Sequence, residues 1–257
     1  MTYFTSLPET RYLFGKEKSI TAFQNLSIYA DLIDDIKDSI GFYREYYIRD
    51  HDRPDQLSMK MYGSPEYYWT FFLMNDNLRL QGWPLDSQKL EEQVKKEYPN
   101  TILTSLSSLK GIFKVDSTVT GLESNGSTSV SGKLIRRNLD LGQLVIKGTH
   151  SYSTNYSISD GTNSIAIIKA TEEYNAIHHY VDSNSKRIDI NPESSVSNSY
   201  TYSLVDGVVT GSAGSAVTPV TIMERAETEN EKLKHIRIIK PEAIESIAIS
   251  FKKLLRL

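Results

Sequence analysis

An α+β fold is predicted for this chain of 257 residues. A small core of strands and short helices is interrupted by an all-β segment, a sandwich or barrel, and closed by a C-terminal strand and helix. Three observations lead there. Residues 45 to 77 hold two helix-sized pieces, each opened by a proline. Residues from about 101 to 222 are rich in Ser, Thr, Gly and Val in short alternating runs, the mark of antiparallel strands. Residues 223 to 257 turn charged and helical again. The expected organisation is an N-terminal arm and helix over 1–44, a core over 45–100, an inserted β-rich domain over 101–222, and a strand and helix over 223–257 that return to the core. The returning tail is expected because the opening region is too small to close a core by itself.

Along the chain, the first segment is aromatic and extended in character, with Tyr3, Phe4, Tyr12 and Phe14. It reads as an arm, and packing on its own domain and packing on another chain are both open. Next, YADLIDDIKDSI sets Leu32, Ile33, Ile36 and Ile40 at helical spacing with its aspartates on the other face, where water is their expected neighbour. EYYIRD reads as a strand. Asp52 is placed to cap the following helix, and Pro54 suits its first turn, where a missing N–H costs nothing. Leu57 and Met61 share a face. Gly63 supplies a left-handed stop, and Ser64-Pro65 restarts a helix as cap and first residue.

In that second helix Tyr68, Phe71 and Phe72 line one stripe, and Trp69 and Leu73 a neighbouring one. A helix apolar over so much of its circumference needs cover on more than one side. Another domain or subunit is expected to provide some of it. GWPLD precedes a further helix from Asp86 with Leu90 and Val94. In the middle region GIFKVDSTVTG, GKLIRRN, GQLVIKG, NSIAIIKA and YTYSLVDGVVTG are strand-like, and SNGSTSVSG and GSAGSAVTP are loops or hairpin turns. KHIRIIK is a strand. Pro241 starts a helix with Ile244, Ile247, Phe251, Leu254 and Leu255 at helical spacing, and its late Lys252, Lys253 and Arg256 complement the helix dipole.

Composition narrows the function. The formal net charge is -3, so the clear basic excess of a nucleic-acid binder is missing. With no cysteine, disulfides and thiolate metal sites are excluded. The opening residues lack the pattern of a signal peptide, and no run approaches the roughly 18 apolar residues that span a bilayer. Sixteen tyrosines, each an apolar ring with a polar tip, suit half-buried surfaces and interfaces. No Ser-His-Asp ordering stands out. His178 and His179 form the single histidine cluster, and neighbours on a strand point to opposite faces, which makes them poor joint ligands. The pairs Glu91-Glu92 and Glu172-Glu173 are expected on solvated faces. No catalytic residue, cofactor or metal is expected.

Two resemblances bear on function. The order Tyr47-x-Arg49-x-His51-Asp52-x-Pro54, Leu57-Ser58, Tyr62-Gly63, Trp69 and Leu73-x-Asn75 resembles a LysM module, a βααβ unit whose usual activity is binding N-acetylglucosamine-containing glycans. Here His51-Asp52-Arg53 replaces the Gly-Asp-Thr turn of that family, so glycan binding is not expected. A peptidoglycan- or glycan-binding module of a tail- or wall-associated protein is the alternative function. More closely, Arg53-Pro54-Asp55, Tyr62-Gly63, Trp69 and Trp83-Pro84-Leu85, together with the start YFTSLPETRYLF, the stretch Asn230 to Lys240 and SFKKLL, are similar to the LysM-like baseplate wedge protein of contractile-tailed phages. The likeness covers roughly residues 1 to 100 and 218 to 257.

That resemblance implies a structural, non-enzymatic component of the virion tail baseplate, made in the host cytoplasm. Its expected partners are other baseplate wedge proteins and neighbouring wedges around the hub, with no nucleic acid and no membrane. In this frame Trp69, Phe71, Phe72, Trp83, Tyr62 and Gly63 are expected to anchor the core. Arg53, Pro54 and Asp55 are expected to fix the turn between strand and helix. Tyr3, Phe4, Tyr12, Phe14 and Phe251 are candidate partner contacts.

Overall fold

The computed structural model describes residues 9–14, 19–24, 37, 41–126, 128–188, 199–204, 207–212 and 217–254. The chain begins with β1 (Glu9–Phe14), β2 (Ser19–Gln24), β3 (Tyr43–Tyr47), α1 (Pro54–Tyr62), a 3-10 turn at Pro65–Tyr67, α2 (Trp69–Met74), α3 (Asp76–Gln81) and α4 (Ser87–Glu97). The strands that follow are β4 (Thr101–Thr104), β5 (Thr118–Leu122), β6 (Ser129–Asn138), β7 (Gln143–Ile146), β8 (Ser157–Ser159), β9 (Ser164–Ala166), β10 (Lys169–Glu172), β11 (Ile177–Asp182), β12 (Arg187–Ile188), β13 (Ser199–Leu204), β14 (Gly207–Ser212) and β15 (Val217–Thr221). The chain then forms α5 (Ile222–Lys234), β16 (His235–Ile239) and α6 (Pro241–Leu254).

Two compact units result. One comprises residues 1–87 and 229–257, the other residues 88–228. The return to the first unit falls inside α5, a helix that local sequence signals had shown only as a charged, helical stretch.

In the first unit β3 and β16 pair antiparallel, with Glu45 opposite Arg237. Pro54 begins α1 and Gly63 ends it at φ 70°, its N–H returning to the Met59 carbonyl. Leu57 and Met61 do share a face, in a cluster with Ile48, Phe71, Leu78, Leu233, Ile236 and Ile238. The Ser64 hydroxyl accepts the Glu66 N–H at 3.2 Å, and the chain rises through the 3-10 turn into α2. After Asn75 comes the short helix α3, whose Leu78 is fully buried.

Two expectations are corrected in this unit. Asp52 does not cap α1: the N-cap is Arg53 with no side-chain cap bond, and the Asp52 carboxylate instead accepts the Arg49 N–H and the Tyr46 hydroxyl. The surplus apolar surface of α2 is covered by the unit's own tail, because Trp69, Leu73 and Met74 pack with Ile239, Ile244, Ile247, Ala248 and Phe251. The N-terminal arm contains a hairpin, β1 antiparallel to β2 with Glu9 opposite Gln24, in a sheet of its own. Tyr3 and Phe4, and Leu32, Ile33, Ile36 and Ile40 of the predicted helix, lie outside the described residues.

The second unit is built on an antiparallel sheet of seven strands in the order β10-β4-β7-β6-β5-β8-β9. The long β6 joins its halves: residues Ser129 to Lys133 pair with β5, and Leu134 to Asn138 pair with β7 past a bulge. Residues from β4, β5, β6, β7, β8 and β9 share one core around Phe113 and Tyr152, so the sheet curls about a common interior. A sheet of three strands, β12-β11-β15, and the hairpin β13-β14 complete the strands described. Glu173 departs from its expected solvated place. It is 3% exposed, and its carboxylate accepts Asn100 Nδ2 at 2.6 Å and Arg136 Nη2 at 2.8 Å.

Candidate interaction site

The expected core anchors all fall in the first unit, and the structure brings most of them together. Phe71 is fully buried, with the Trp83 ring 6.0 Å away and the Tyr62 ring stacked at 6.0 Å. Phe72 lies 5.9 Å from Trp83 and is half-buried. Trp69 points to the other side of α2, which follows from the roughly 100° between successive helical residues, and stacks on Phe251 at 5.1 Å. One helix thus serves two clusters: Phe71 completes the sheet side and Trp69 the α6 side. Each fully buried aromatic contributes about 2–3 kcal/mol by removal from water.

Polar tips fix these rings. Trp83 Nε1 donates to the Asp52 carbonyl at 2.7 Å, tying the GWPLD segment to the turn after β3. The Tyr62 hydroxyl donates to the Ile239 carbonyl at 2.9 Å. Burial pushes the Tyr62 phenol up to about 12, so the ring stays neutral at any physiological pH.

At the turn between β3 and α1, Pro54 takes the first position of the helix. Arg53 and Asp55 pair at 3.2 Å but both are largely in water, where such a pair contributes little. The working contacts are Asp52, described above, and Asp86, whose Oδ1 accepts the His51 N–H at 2.6 Å while His51 sits at φ 70°. Close by, Lys234 Nζ bonds Asp50 at 3.0 Å and lies 3.5 Å from Glu231. Lys234 and the Ser87 hydroxyl together hold the Asp50 carboxyl below its ordinary range.

Two asparagines, which the sequence marked only within stretches of resemblance, act as side-chain substitutes for a neighbouring strand. Asn75 Oδ1 accepts the Arg237 N–H at 2.8 Å, and its Nδ2 donates to the Arg237 carbonyl at 2.8 Å and to the Phe71 carbonyl at 2.8 Å. Asn230 Oδ1 accepts the Leu85 N–H at 2.8 Å while Nδ2 donates to the Leu85 carbonyl at 2.9 Å. Both are buried with their amide capacity engaged. A lone Asn before a polar run carries no local signal for this, since the partner lies 162 residues away in one case and 145 in the other.

Phe251, expected at a partner contact, is fully buried against Trp69. The spacing that placed it on an apolar face was right about the face and wrong about the neighbour. Tyr12 and Phe14 lie on β1. Among the described residues of this unit, exposed large apolar side chains are Phe42, Tyr47, Met59, Leu80 and Ile249.

The histidine pair in the second unit is also corrected. A bulge between Ile177 and His179 interrupts the alternation of β11, and the two rings meet with Nδ1 atoms 3.0 Å apart. Arg225 Nη1 lies 3.0 Å from His178 Nε2. Beside them a cavity of about 460 Å³ is lined by Ile102, Val145, Arg136, Arg187 and His178. Among the described residues no group of three or more His, Cys, Asp or Glu could hold a metal ion, and no helix is long and apolar enough to cross a membrane.

The arrangement described in the first unit offers packing and main-chain pairing. Comparison with known proteins points the same way. Residues 2–100 match the family model described as Base plate wedge protein 53. A relative, Baseplate wedge protein gp53 of Enterobacteria phage T4, is 30% identical over 76 residues, which is 28% of this chain and 39% of the relative. The chain thus spans about two fifths of the length of the curated relative it matches.

Proposed function

We propose that this chain is a structural subunit of a contractile-tail baseplate wedge that joins neighbouring wedge proteins around the central hub. The observation that carries the reading is the match over residues 2–100, which contains Trp69, Phe71, Trp83 and the Asn75 clamp of the first unit. In this reading β3, α1, α2 and β16 form a LysM-like core, which β16 completes after the chain has passed through the second unit. Support comes from the antiparallel pairing of β3 with β16 and the packing of α1 and α2 in their clusters. Residues 88–228 are an inserted, β-rich domain that meets a further tail component. The protein works by occupying a place in an assembly and has no catalytic role. Its partners are proteins, and its place is the tail baseplate of the virion.

The test is reconstitution. The purified chain is mixed with the other wedge proteins of its phage and separated by size. Co-migration in a complex of wedge composition is expected. Failure to join any wedge protein, combined with retention on purified peptidoglycan at moderate salt, overturns the reading and turns the first unit into a glycan-binding module.

A further inference from the structure

We propose that the outer edge of β3 is a strand-addition site, which takes an extended segment of a different polypeptide in antiparallel pairing. The inference rests on the assembly reading above and names the contact through which it acts.

The direction of each backbone group in β3 follows from its partner. Arg237 bonds Asn75 through both its N–H and its carbonyl. Those groups therefore point away from β3, and Glu45, directly opposite, is the non-bonded member of the ladder. Its own N–H and carbonyl point outward. Alternation assigns the same direction to Tyr43 and Tyr47. The flanking bonds agree: the Phe42 carbonyl accepts the Lys240 N–H at 2.9 Å and the Ile48 N–H donates to the Lys234 carbonyl at 2.9 Å, so even-numbered residues face β16. Among the described residues, no backbone bond is made on the outer side by Tyr43, Glu45 or Tyr47. The opposite edge is different, because Asn75 occupies β16 at Arg237. One edge of this sheet of two strands is thus closed by a side chain and the other presents three outward residues at strand spacing.

An open edge of that kind pairs with another backbone unless it is short, charged or covered. β3 carries the exposed charges Arg44 and Glu45 at its centre, and apolar Phe42 and Tyr47, 47% and 42% exposed, at its ends. A hollow of about 250 Å³ lined in part by Glu45, His235 and Arg237 lies on the same sheet. Charge selects the occupant. A second copy pairing antiparallel with full overlap would set Glu45 against Glu45, which is unfavourable for directly opposite residues. A different chain with Lys or Arg at that position satisfies it.

Hydrogen exchange read by mass spectrometry tests this, on the purified protein and on purified intact tails. The amides of Tyr43, Glu45 and Tyr47 should exchange fast in the free protein and become protected in tails, while Arg44 and Tyr46 are protected in both. Fast exchange of all three in tails that contain the chain overturns the inference and leaves the assembly reading standing. Protection in the purified protein with the mass of a dimer also overturns it, in favour of self-pairing. Absence of the chain from tails removes both readings. Glu45→Pro removes the outward N–H together with the Glu45 carboxylate, at an edge position where proline is tolerated. With unchanged tryptophan emission it should enter tails about tenfold less well, the loss of one main-chain bond. Glu45→Lys, which keeps the backbone, should also lower incorporation by repelling the partner's base. Wild-type incorporation of both variants refutes the proposal.

Discussion

Replacing Asn75 by alanine removes three hydrogen bonds at once, two that finish the edge of β16 at Arg237 and one that satisfies the Phe71 carbonyl at the end of α2. At about 1 kcal/mol net for each bond, the loss is about 3 kcal/mol. The protein contains two tryptophans, Trp69 and Trp83, and both belong to the first unit. Urea unfolding followed by tryptophan emission therefore reports that unit alone. With a slope of about 1–3 kcal/mol per molar urea, the midpoint should fall by about 1–3 M. Asn75→Asp keeps the acceptor for the Arg237 N–H but turns a carboxylate toward two carbonyl oxygens. It should match the alanine variant or be worse at pH 7. The carbonyl oxygens favour the protonated acid, raising its folded pKa above the usual value of about 4. The aspartate variant should consequently regain stability as the pH falls below that raised value. A loss under about 0.5 kcal/mol in the alanine variant, well below a single hydrogen bond, would refute the assignment of Asn75 as a strand substitute.

Trp69→Ala should destabilise the first unit by about 3–5 kcal/mol, since the ring stacks on Phe251 in a closed core; normal expression and wild-type assembly would show that the anchor lies elsewhere. Gly132→Ala should disrupt the second unit, because an added Cβ would lie 2.3 Å from Ile146 Cγ2, and reduced amide protection in β6 and β7 is the readout. The Asp160 carboxylate accepts the backbone N–H groups of Asn163, Thr162 and Phe113, and its pKa is lowered from 3.8 to about 2, first by the Asn163 bond. Its stabilisation of the second unit is therefore present above the unfolded value and lost as the pH falls through 2. Circular dichroism of wild type and Asp160→Asn should differ at pH 6 and converge near pH 2; equal stability at pH 6 would remove Asp160 from the account.

Local chemistry determined much of the first unit from sequence. Pro54, Gly63 and Ser64-Pro65 mark where α1 starts, where it stops and where the next turn begins, because each acts through its own φ angle or hydroxyl. The spacing of Phe71 against Trp69 marks two faces of α2, and Pro241 opens α6, because a helix repeats every few residues whatever surrounds it. The alternating runs of the middle region announce strands for the same reason. Only the tertiary structure decided what those faces and polar groups meet. Phe251 turns inward because Trp69 lies beneath it. Asp52 leaves α1 uncapped and holds the Arg49 turn instead. Glu173 is buried because Arg136 and Asn100 reach it, and the bulge in β11 brings the rings of His178 and His179 together. Asn75 finds Arg237 only after the chain has run through the whole second unit. Side-chain periodicity is a property of a few neighbouring bonds, whereas the partner of a buried amide or carboxylate depends on segments brought near by the collapse of the entire core.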